Sequence, residues 1–256
     1  MSTTSSRPTG PLVYIRSALF LCGLAVLVVI FATVALLSAP FPYSIRYRVI
    51  TPWTKLTLGW LRITCGLSHR LVGVENIPDD PAVILCKHQS AWETIALETI
   101  FRPQCWLLKR ELLWIPFFGW GLALLRPIAI DRSKRRGALS RLVEQGSARL
   151  RDRIWVVVFP EGTRVPPGVR GNYRKGGATL AVRTGSFVVP VAHNAGDFWP
   201  RRSALKYPGV IDIVIGTPIP TEGRDAGEVN DEAAAWIEAT VARIRGDTST
   251  DHSLVR

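Results

Sequence analysis

A long uncharged segment near the start of the chain limits most strongly what this sequence can form. Residues 17–37, SALFLCGLAVLVVIFATVALL, contain no charged side chain. As a helix this segment would be about 31 Å long, close to the thickness of the hydrocarbon core of a bilayer. The apolar core of a cleaved signal peptide has only about 7–15 residues. The pattern therefore predicts an N-terminal membrane anchor rather than a signal peptide or a buried soluble helix.

Basic residues flank this segment on both sides, so the charges do not decide its orientation. Arg7 and Arg16 precede it, and Arg46 and Arg48 follow it. The segment either spans the membrane or forms one limb of a shallow helical pair. Residues 44–64 then mix basic residues with tyrosine and tryptophan, which suits the lipid headgroup region. An amphipathic helix packed on the domain is an equally good interpretation of residues 44–64.

The chain carries an excess of positive charge. It has 32 Lys and Arg against 20 Asp and Glu, a formal net charge of +12. Nucleic acid and an anionic membrane surface are both suitable partners for such a chain. No Walker A, zinc-finger or basic-zipper pattern is present, and a membrane anchor explains the charge better. The four cysteines form no CxxC pair, so we expect neither a metal site nor a disulfide framework.

From about residue 70 the sequence alternates short apolar runs with helical segments. This alternation predicts an α/β fold with a mixed, largely parallel sheet flanked by helices. We place one boundary near residue 65, with an anchor and interfacial helix in residues 1–65 and a catalytic domain in residues 66–256. The predicted strands lie near residues 81–86, 128–130, 154–159, 187–192 and 211–216, and the predicted helices near residues 91–100, 137–150, 175–184 and 231–245.

The segment KHQSAWET, residues 87–94, places His88 directly after an apolar run and Glu93 five residues later. A neutral imidazole can act as a general base when a carboxylate orients it and stabilises the imidazolium. Five residues on one continuous helix turn through about 500°, so the two side chains would not meet. They meet only if His88 lies in a loop and Glu93 in the first turn of the next helix. Ser90 and Glu93 also fit a helix capping box, so Glu93 is either the partner of His88 or a cap.

Three further segments place basic residues near the ends of apolar runs. FPEGTR, residues 159–164, follows one run, and the guanidinium of Arg164 can bind phosphate there; a surface loop with an Arg–Glu pair is the alternative. Arg132 follows a second run, and residues 173–178 form a basic turn that enters a helix. Because the carboxyl ends of parallel strands share one crevice, we expect His88, Arg132 and Arg164 to lie together. Such a crevice on a membrane-tethered domain suits transfer chemistry on a hydroxyl of an anionic lipid.

In this order, the segments resemble those of the glycerolipid acyltransferases that are similar to 1-acylglycerol-3-phosphate acyltransferase. The chain departs from the family at Glu93, where Asp is usual, and at Lys87, where Asn is frequent and the change indicates a divergent acceptor preference. The resemblance covers about residues 70–220. The matching segments are His88–Glu93 for His-x4-Asp, Ile130–Arg132 for apolar-Asp-Arg, an intact Phe159–Arg164, Val188–Val191 for apolar-Val-Pro-Val, Lys109–Leu112 and Ile215–Ile219.

The resemblance implies a membrane enzyme that moves an acyl group from acyl-CoA or acyl carrier protein to the sn-2 hydroxyl of lysophosphatidic acid. His88 would deprotonate that hydroxyl with Glu93 as its partner, and no metal, other cofactor or covalent acyl-enzyme would be required. The residues implied to bind the acceptor are Lys109, Arg132, Glu161, Gly162, Thr163 and Arg164.

The resemblance further implies a location at the cytoplasmic membrane, with the catalytic domain facing the cytoplasm. The aromatic residues 105–125 would line the acyl site, dock on lipid or simply form core. A different lysophospholipid acceptor, or a lipid-binding member of the family with little activity, are the alternatives.

Overall fold

A seven-stranded mixed sheet lies at the centre of the protein in this computed structural model, which describes residues 10–130 and 137–246. Its strand order is β1-β7-β6-β2-β5-β3-β4, and only the β6–β7 pair is antiparallel. The predicted mixed, largely parallel sheet is therefore confirmed. The strands are β1 (Leu67–Val72), β2 (Val83–Cys86), β3 (Gln104–Lys109), β4 (Ile128–Ile130), β5 (Trp155–Val158), β6 (Val188–His193) and β7 (Gly209–Ile215).

The central strands are short apolar runs because both of their faces are covered. Every residue of β2 is buried, and alternate side chains enter different cores. Ile84 and Cys86 belong to one core, whereas Val83 and Leu85 belong to the other. Helices on both faces of a parallel sheet produce this pattern, since neither face of the strand meets water.

The helices predicted after residue 90 are all present, with small differences at their ends. The last helix begins at Ala226, five residues earlier than expected, because the Asp225 carboxylate accepts hydrogen bonds from the backbone N–H groups of Gly227 and Glu228. The helices are α1 (Pro11–Ser38), α2 (Tyr43–Ile50), α3 (Pro52–Cys65), α4 (Trp92–Ile100), α5 (Phe118–Ala123), α6 (Ala138–Arg151), α7 (Gly176–Thr184), α8 (Ala195–Phe198) and α9 (Ala226–Arg245), with 3-10 turns at Val74–Asn76 and Arg110–Trp114.

The first helix, α1, has the length and composition of a membrane helix. It has 28 residues, and its most apolar window has a mean hydropathy of 2.9 with 17% of its residues buried. Phe20 and Ala35 pack into the core of the protein, whereas Ile15, Val29 and Leu37 are exposed. One side of α1 therefore packs on the protein and the other presents apolar side chains outward.

The two helices that follow α1 pack on the same core as the sheet. Tyr47, Ile50 and Leu61 are buried in it, while Leu56 and Ile63 remain exposed. Residues 44–64 thus form packed helices, and their free apolar side chains leave room for contact with lipid on the other side. The division at residue 65 remains a prediction.

Candidate active site

The loops that follow three neighbouring parallel strands converge at one edge of the sheet. β2, β5 and β3 lie side by side, and their carboxyl ends point the same way. His88 follows β2, residues 159–164 follow β5, and Lys109 ends β3. His88, Lys109 and Arg164 consequently line one cavity. Arg132 lies outside the described residues, so its position in this crevice remains a prediction.

The side chains of His88 and Glu93 meet because a loop separates them from a common helix. His88 lies in the loop after β2, and Glu93 lies in the first turn of α4. The distance between His88 Nδ1 and Glu93 Oε1 is 2.9 Å, and the His88 ring stacks on Phe159 with the ring centroids 4.1 Å apart. When Nδ1–H donates to the carboxylate, the neutral ring keeps Nε2 as its proton acceptor. The pair has the arrangement of a base and its orienting carboxylate.

Glu93 also caps α4, so both sequence interpretations of this residue describe the molecule. Its Oε1 accepts hydrogen bonds from the backbone N–H groups of Gln89, at 2.9 Å, and Ser90, at 2.8 Å. The N–H of Trp92 in turn donates to Ser90 Oγ at 3.2 Å. The bond from the Ser90 N–H to Glu93 is the one that the acidic residue makes in a capping box, whereas the Ser90 hydroxyl accepts from Trp92 and not from the N–H of Glu93. One carboxylate therefore fixes the backbone of the catalytic loop and the ring of His88 together.

The carboxyl group of Glu93 stays ionised although it is buried. Burial raises the pKa of Glu93. The charge of His193, the hydrogen bond and charge of His88, and the Ser90 N–H lower it by more, so its pKa lies below the usual value. Burial lowers the pKa of His193, the charge of Glu93 opposes this, and the His193 Nδ1 accepts the Ala195 N–H. The positive charge that His193 and His88 can carry, together with the hydrogen bonds from His88 and Ser90, thus keeps Glu93 a carboxylate.

His193 is a buried neighbour of this pair. It ends β6, is fully buried, and its Nε2 donates to the carbonyl oxygen of Lys87 at 2.8 Å. The same nitrogen lies 3.9 Å from Glu93 Oε2, too far for a hydrogen bond. His193 therefore supports the backbone just before His88. Its place two positions after the Val188–Val191 segment was the available signal.

The loop of residues 159–164 separates its residues by role. Gly162 has a φ of 68° and donates its N–H to the carbonyl of Phe159, a turn that favours glycine. Gly162, Thr163 and Arg164 line the cavity. Glu161 does not, because its buried carboxylate accepts the His88 N–H at 2.9 Å and pairs with Lys87. The alternative of a surface Arg–Glu pair in this loop is wrong.

Lys87 does not face the cavity, which corrects the inference that it signals acceptor preference. Its side chain is 1% exposed, and its ammonium lies 2.8 Å from Glu161 Oε1 and 2.7 Å from Glu238 Oε1. A charged side chain in such a place is stabilised by its partners inside the protein. Lys87 is therefore a buried support of the loop and cannot touch an acceptor headgroup.

The cavity itself has about 630 Å³ and two kinds of lining. Its polar lining is basic, and none of the described residues around it is acidic. The Nε of Arg164 is buried and has no hydrogen-bond partner among the described residues. Apolar side chains form most of the rest, among them Leu24, Phe31, Ile95, Trp106 and Leu122. Such a cavity suits a molecule with an anionic group and a long apolar chain.

Two arginines of the basic lining were missed by the sequence reasoning. Arg201 and Arg202 follow α8 and line the cavity beside Lys109 and Arg164. Arg202 has a φ of 58°, a conformation that is uncommon outside glycine. The signal in the sequence was an Arg-Arg pair about ten positions after the Val188–Val191 segment. The basic side of the cavity thus has at least four cations.

Comparisons with known proteins relate this chain to acyltransferases. A family model described as Acyltransferase matches residues 69–194. The 1-acyl-sn-glycerol-3-phosphate acyltransferase of Pseudomonas aeruginosa is 46% identical to this chain over 235 residues, which are 90% of this chain and 91% of that protein. The 1-acyl-sn-glycerol-3-phosphate acyltransferase of Saccharomyces cerevisiae is 30% identical over 179 residues, 68% of this chain and 58% of that protein.

A solved structure shows the same fold. The crystal structure of the 1-acyl-sn-glycerophosphate (LPA) acyltransferase from Thermotoga maritima matches with a TM-score of 0.73 at 23% identity, and the match covers 94% of this chain and 98% of that one. The match to this structure and the match to the Pseudomonas aeruginosa protein each extend over nearly all of this chain and of the protein compared with it. The chain therefore belongs to the family of 1-acyl-sn-glycerol-3-phosphate acyltransferases and is an acyltransferase.

Proposed function

We propose that this enzyme transfers a fatty acyl group from an acyl thioester to the sn-2 hydroxyl of lysophosphatidic acid and thereby forms phosphatidic acid. The donor carrier in this proposal is CoA or acyl carrier protein. The observation that carries the proposal is the pairing of His88 with Glu93 at a cavity that has both a basic and a long apolar lining. The names of the relatives, which describe the same reaction class, support it.

His88 is the proposed general base. Its Nε2 takes the proton of the acceptor hydroxyl as the oxygen attacks the thioester carbonyl, and Glu93 stabilises the imidazolium that forms. The tetrahedral intermediate then collapses, the C–S bond breaks, and the imidazolium returns the proton to the leaving thiolate. Protons balance over the cycle, and the reaction requires no metal and no covalent acyl-enzyme.

The basic lining is the proposed site for the phosphate of the acceptor. Lys109, Thr163 and Arg164 line the cavity with His88, and an arginine can hold phosphate through two parallel N–H groups. Arg164 lies on this lining, and its Nε has no hydrogen-bond partner among the described residues. Glu161 and Gly162 act differently, by shaping the loop that carries Arg164. Arg132 joins this set by the family resemblance alone.

The apolar lining is the proposed site for an acyl chain. Leu24 and Phe31 come from α1, and Leu122 comes from α5, so the apolar part of the cavity lies against the helix that has the character of a membrane anchor. A lipid substrate then passes between the bilayer and the cavity without exposing its acyl chain to water. Such exposure would cost about 0.8 kcal/mol for each CH₂ group. We place the protein at the cytoplasmic membrane with its catalytic domain on the cytoplasmic side.

A matrix of acceptors and donors tests the proposal. Purified enzyme in lipid nanodiscs is supplied with lysophosphatidic acid, lysophosphatidylethanolamine or lysophosphatidylglycerol, each with acyl-CoA or acyl carrier protein, and the product lipid is measured by mass spectrometry. We expect phosphatidic acid to form fastest, and His88→Ala to reduce its formation to near background. Faster turnover of another lysolipid would overturn the proposed acceptor, and an active His88→Ala variant would overturn the proposed base.

The location is tested separately by protease treatment of membrane vesicles. We expect the catalytic domain to be digested in inside-out vesicles and protected in right-side-out vesicles. Digestion in right-side-out vesicles alone would reverse the proposed orientation.

A further inference from the structure

A buried chain of charged groups connects the backbone of His88 to the C-terminal helix. The Glu161 Oε2 accepts the His88 N–H at 2.9 Å, and its Oε1 lies 2.8 Å from the ammonium of Lys87. The same ammonium lies 2.7 Å from Oε1 of Glu238 on α9. The side chains of Lys87 and Glu161 are 1% and 0% exposed, and that of Glu238 is 20% exposed. This series of charged groups thus runs from Glu238 on α9 to the loop that carries His88.

The ammonium of Lys87 has a partner for each of its three N–H groups. Besides the two carboxylates, it donates to the carbonyl oxygen of Val169 at 3.1 Å. An ammonium has three donors and no acceptor, so its position is fully determined by these three oxygens. Because they come from three different parts of the chain, Lys87 joins the loop after β5, residue 169 and α9 at one point.

The carboxylates also need Lys87. Burial raises the pKa of Glu161, the Lys87 ammonium and the His88 N–H oppose the rise, and the charge of Glu238 adds to it. Tyr173 donates its hydroxyl to Glu238 Oε1 at 2.7 Å but carries no charge. Lys87 is the cation that lies between the carboxylates of Glu161 and Glu238. Without that cation, two acidic groups would face each other in a buried place, and Glu161 would protonate or turn away.

His88 is therefore held by two carboxylates with different tasks. Glu93 holds the ring through Nδ1, and Glu161 holds the backbone through the N–H of the same residue. A rotation of the Glu161 carboxylate would release that backbone and shift the ring without breaking the bond to Glu93. Displacements of about 1 Å in a catalytic group can reduce turnover about a hundredfold.

We propose that Lys87 and Glu238 are positioning residues for the general base, acting through Glu161 on the backbone of His88. The proposal rests on the proposed function for its kinetic consequences, but not for its structural ones. Neither residue touches the cavity, so neither should alter the binding of substrates. Their effect should appear in kcat and in the protection of the His88 amide.

The test compares Glu238→Gln with Glu232→Gln in the full-length enzyme. Both changes remove one carboxylate from α9, but among the described residues the ion pair of Glu232 is with Arg224 at the surface. We expect Glu238→Gln to lower kcat about tenfold, the effect of one lost bond to a charged group, with both KM values unchanged. Glu232→Gln should leave kcat within about twofold, since surface pairs contribute little.

Lys87→Gln gives a larger response from the centre of the chain. We expect it to lower kcat about a hundredfold with KM unchanged. The double variant Lys87→Gln with Glu238→Gln should be no worse than Lys87→Gln, since both act through the same carboxylate. Additive losses would overturn the proposal. If Lys87→Gln does not fold, the Glu238→Gln and Glu232→Gln pair decides the question.

Hydrogen–deuterium exchange supplies a readout that is independent of activity. The amide exchange of the peptide that contains His88 should be at least about fivefold faster in Glu238→Gln than in the wild type and in Glu232→Gln, with the rest of the sheet unchanged. Unchanged exchange at His88, or faster exchange throughout the sheet, would overturn the positioning role. If instead exchange responds as expected but no acyl transfer is measurable in the wild type, the proposed function fails and the structural coupling stands.

Discussion

Replacement of Glu93 by Gln separates the two tasks that its carboxylate performs. Gln has nearly the same shape, so its amide oxygen can still accept the bonds that His88 Nδ1, Gln89 N and Ser90 N make to Glu93 Oε1. What it lacks is the negative charge beside the imidazolium. The change therefore keeps much of the geometry and removes the electrostatic stabilisation of the transition state.

The size of this loss follows from the distance and burial of the pair. The Nδ1–Oε1 distance of 2.9 Å places the two charge centres about 4 Å apart, where unit charges interact by about 4 kcal/mol at an effective dielectric constant of 20. Since about 1.4 kcal/mol corresponds to a factor of ten, we expect kcat to fall about a thousandfold. Glu93→Asp keeps the charge but is one methylene shorter, so kcat should fall by less than about tenfold if the loop follows the carboxylate inward.

The assay measures kcat with saturating acceptor and donor, together with the thermal unfolding temperature. Ser90→Ala is the matched control, because it removes the bond from Trp92 N to Ser90 Oγ and leaves the contact between Glu93 and His88 in place. It should cost about 1 kcal/mol of stability, as the loss of a helix cap does, and keep kcat within about threefold. If Glu93→Gln retains more than about a tenth of the wild-type kcat, Glu93 is a cap and the orienting role is refuted.

Two other predictions concern acceptor binding and stability. Arg164→Ala should raise the KM for the acceptor about 10- to 100-fold with little change in kcat. The control is Arg170→Ala, which removes an exposed arginine of the same region that does not line the cavity and should leave the KM unchanged. Equal KM values for the two variants in steady-state assays would exclude a phosphate contact of Arg164. Burial raises the pKa of Glu98 to about 8, although Tyr47 and Gln104 donate hydrogen bonds to it. The pKa of Glu98 in the folded state lies above its ordinary value of 4.5, so the folded protein binds this proton more tightly than the unfolded chain does. The contribution of Glu98 to the free energy of unfolding is therefore fully present below pH 4.5 and is lost as the pH rises to about 8. The unfolding temperature of Glu98→Gln minus that of the wild type should therefore be larger at pH 8 than at pH 5. A difference that is the same at both pH values would contradict this.

Most of the fold was predictable because its signals are local. Runs such as Trp155–Val158 are apolar at every position, and short runs of this kind in alternation with helices are typical of buried parallel strands. Helix ends were less accurate where one side chain decides them, as Asp225 does for α9. The antiparallel pairing of β6 with β7 was not predictable, since strand direction depends on how the intervening chain crosses the sheet.

The candidate site was predictable only in part, for the same reason. The order of its segments pointed to His88 and Arg164, which do line one cavity. Arg201 and Arg202 were missed because nothing near them in the sequence marks a strand end. Lys87 was misread because its neighbours in the chain do not reveal that Glu238, 151 positions away, lies beside it.

The sequence by itself determined the apolar helix, the α/β alternation and the residue types available for catalysis, since these depend on side-chain character and on spacing along the chain. It left Glu93 as either an orienting carboxylate or a cap. Only the tertiary structure shows that its carboxylate contacts both the ring of His88 and the N–H groups before α4, because the loop between β2 and α4 turns His88 back onto the first turn of the helix. The support behind His88 was likewise decided by tertiary contacts, in which Lys87, Glu161 and Glu238 meet from distant parts of the chain to balance buried charge.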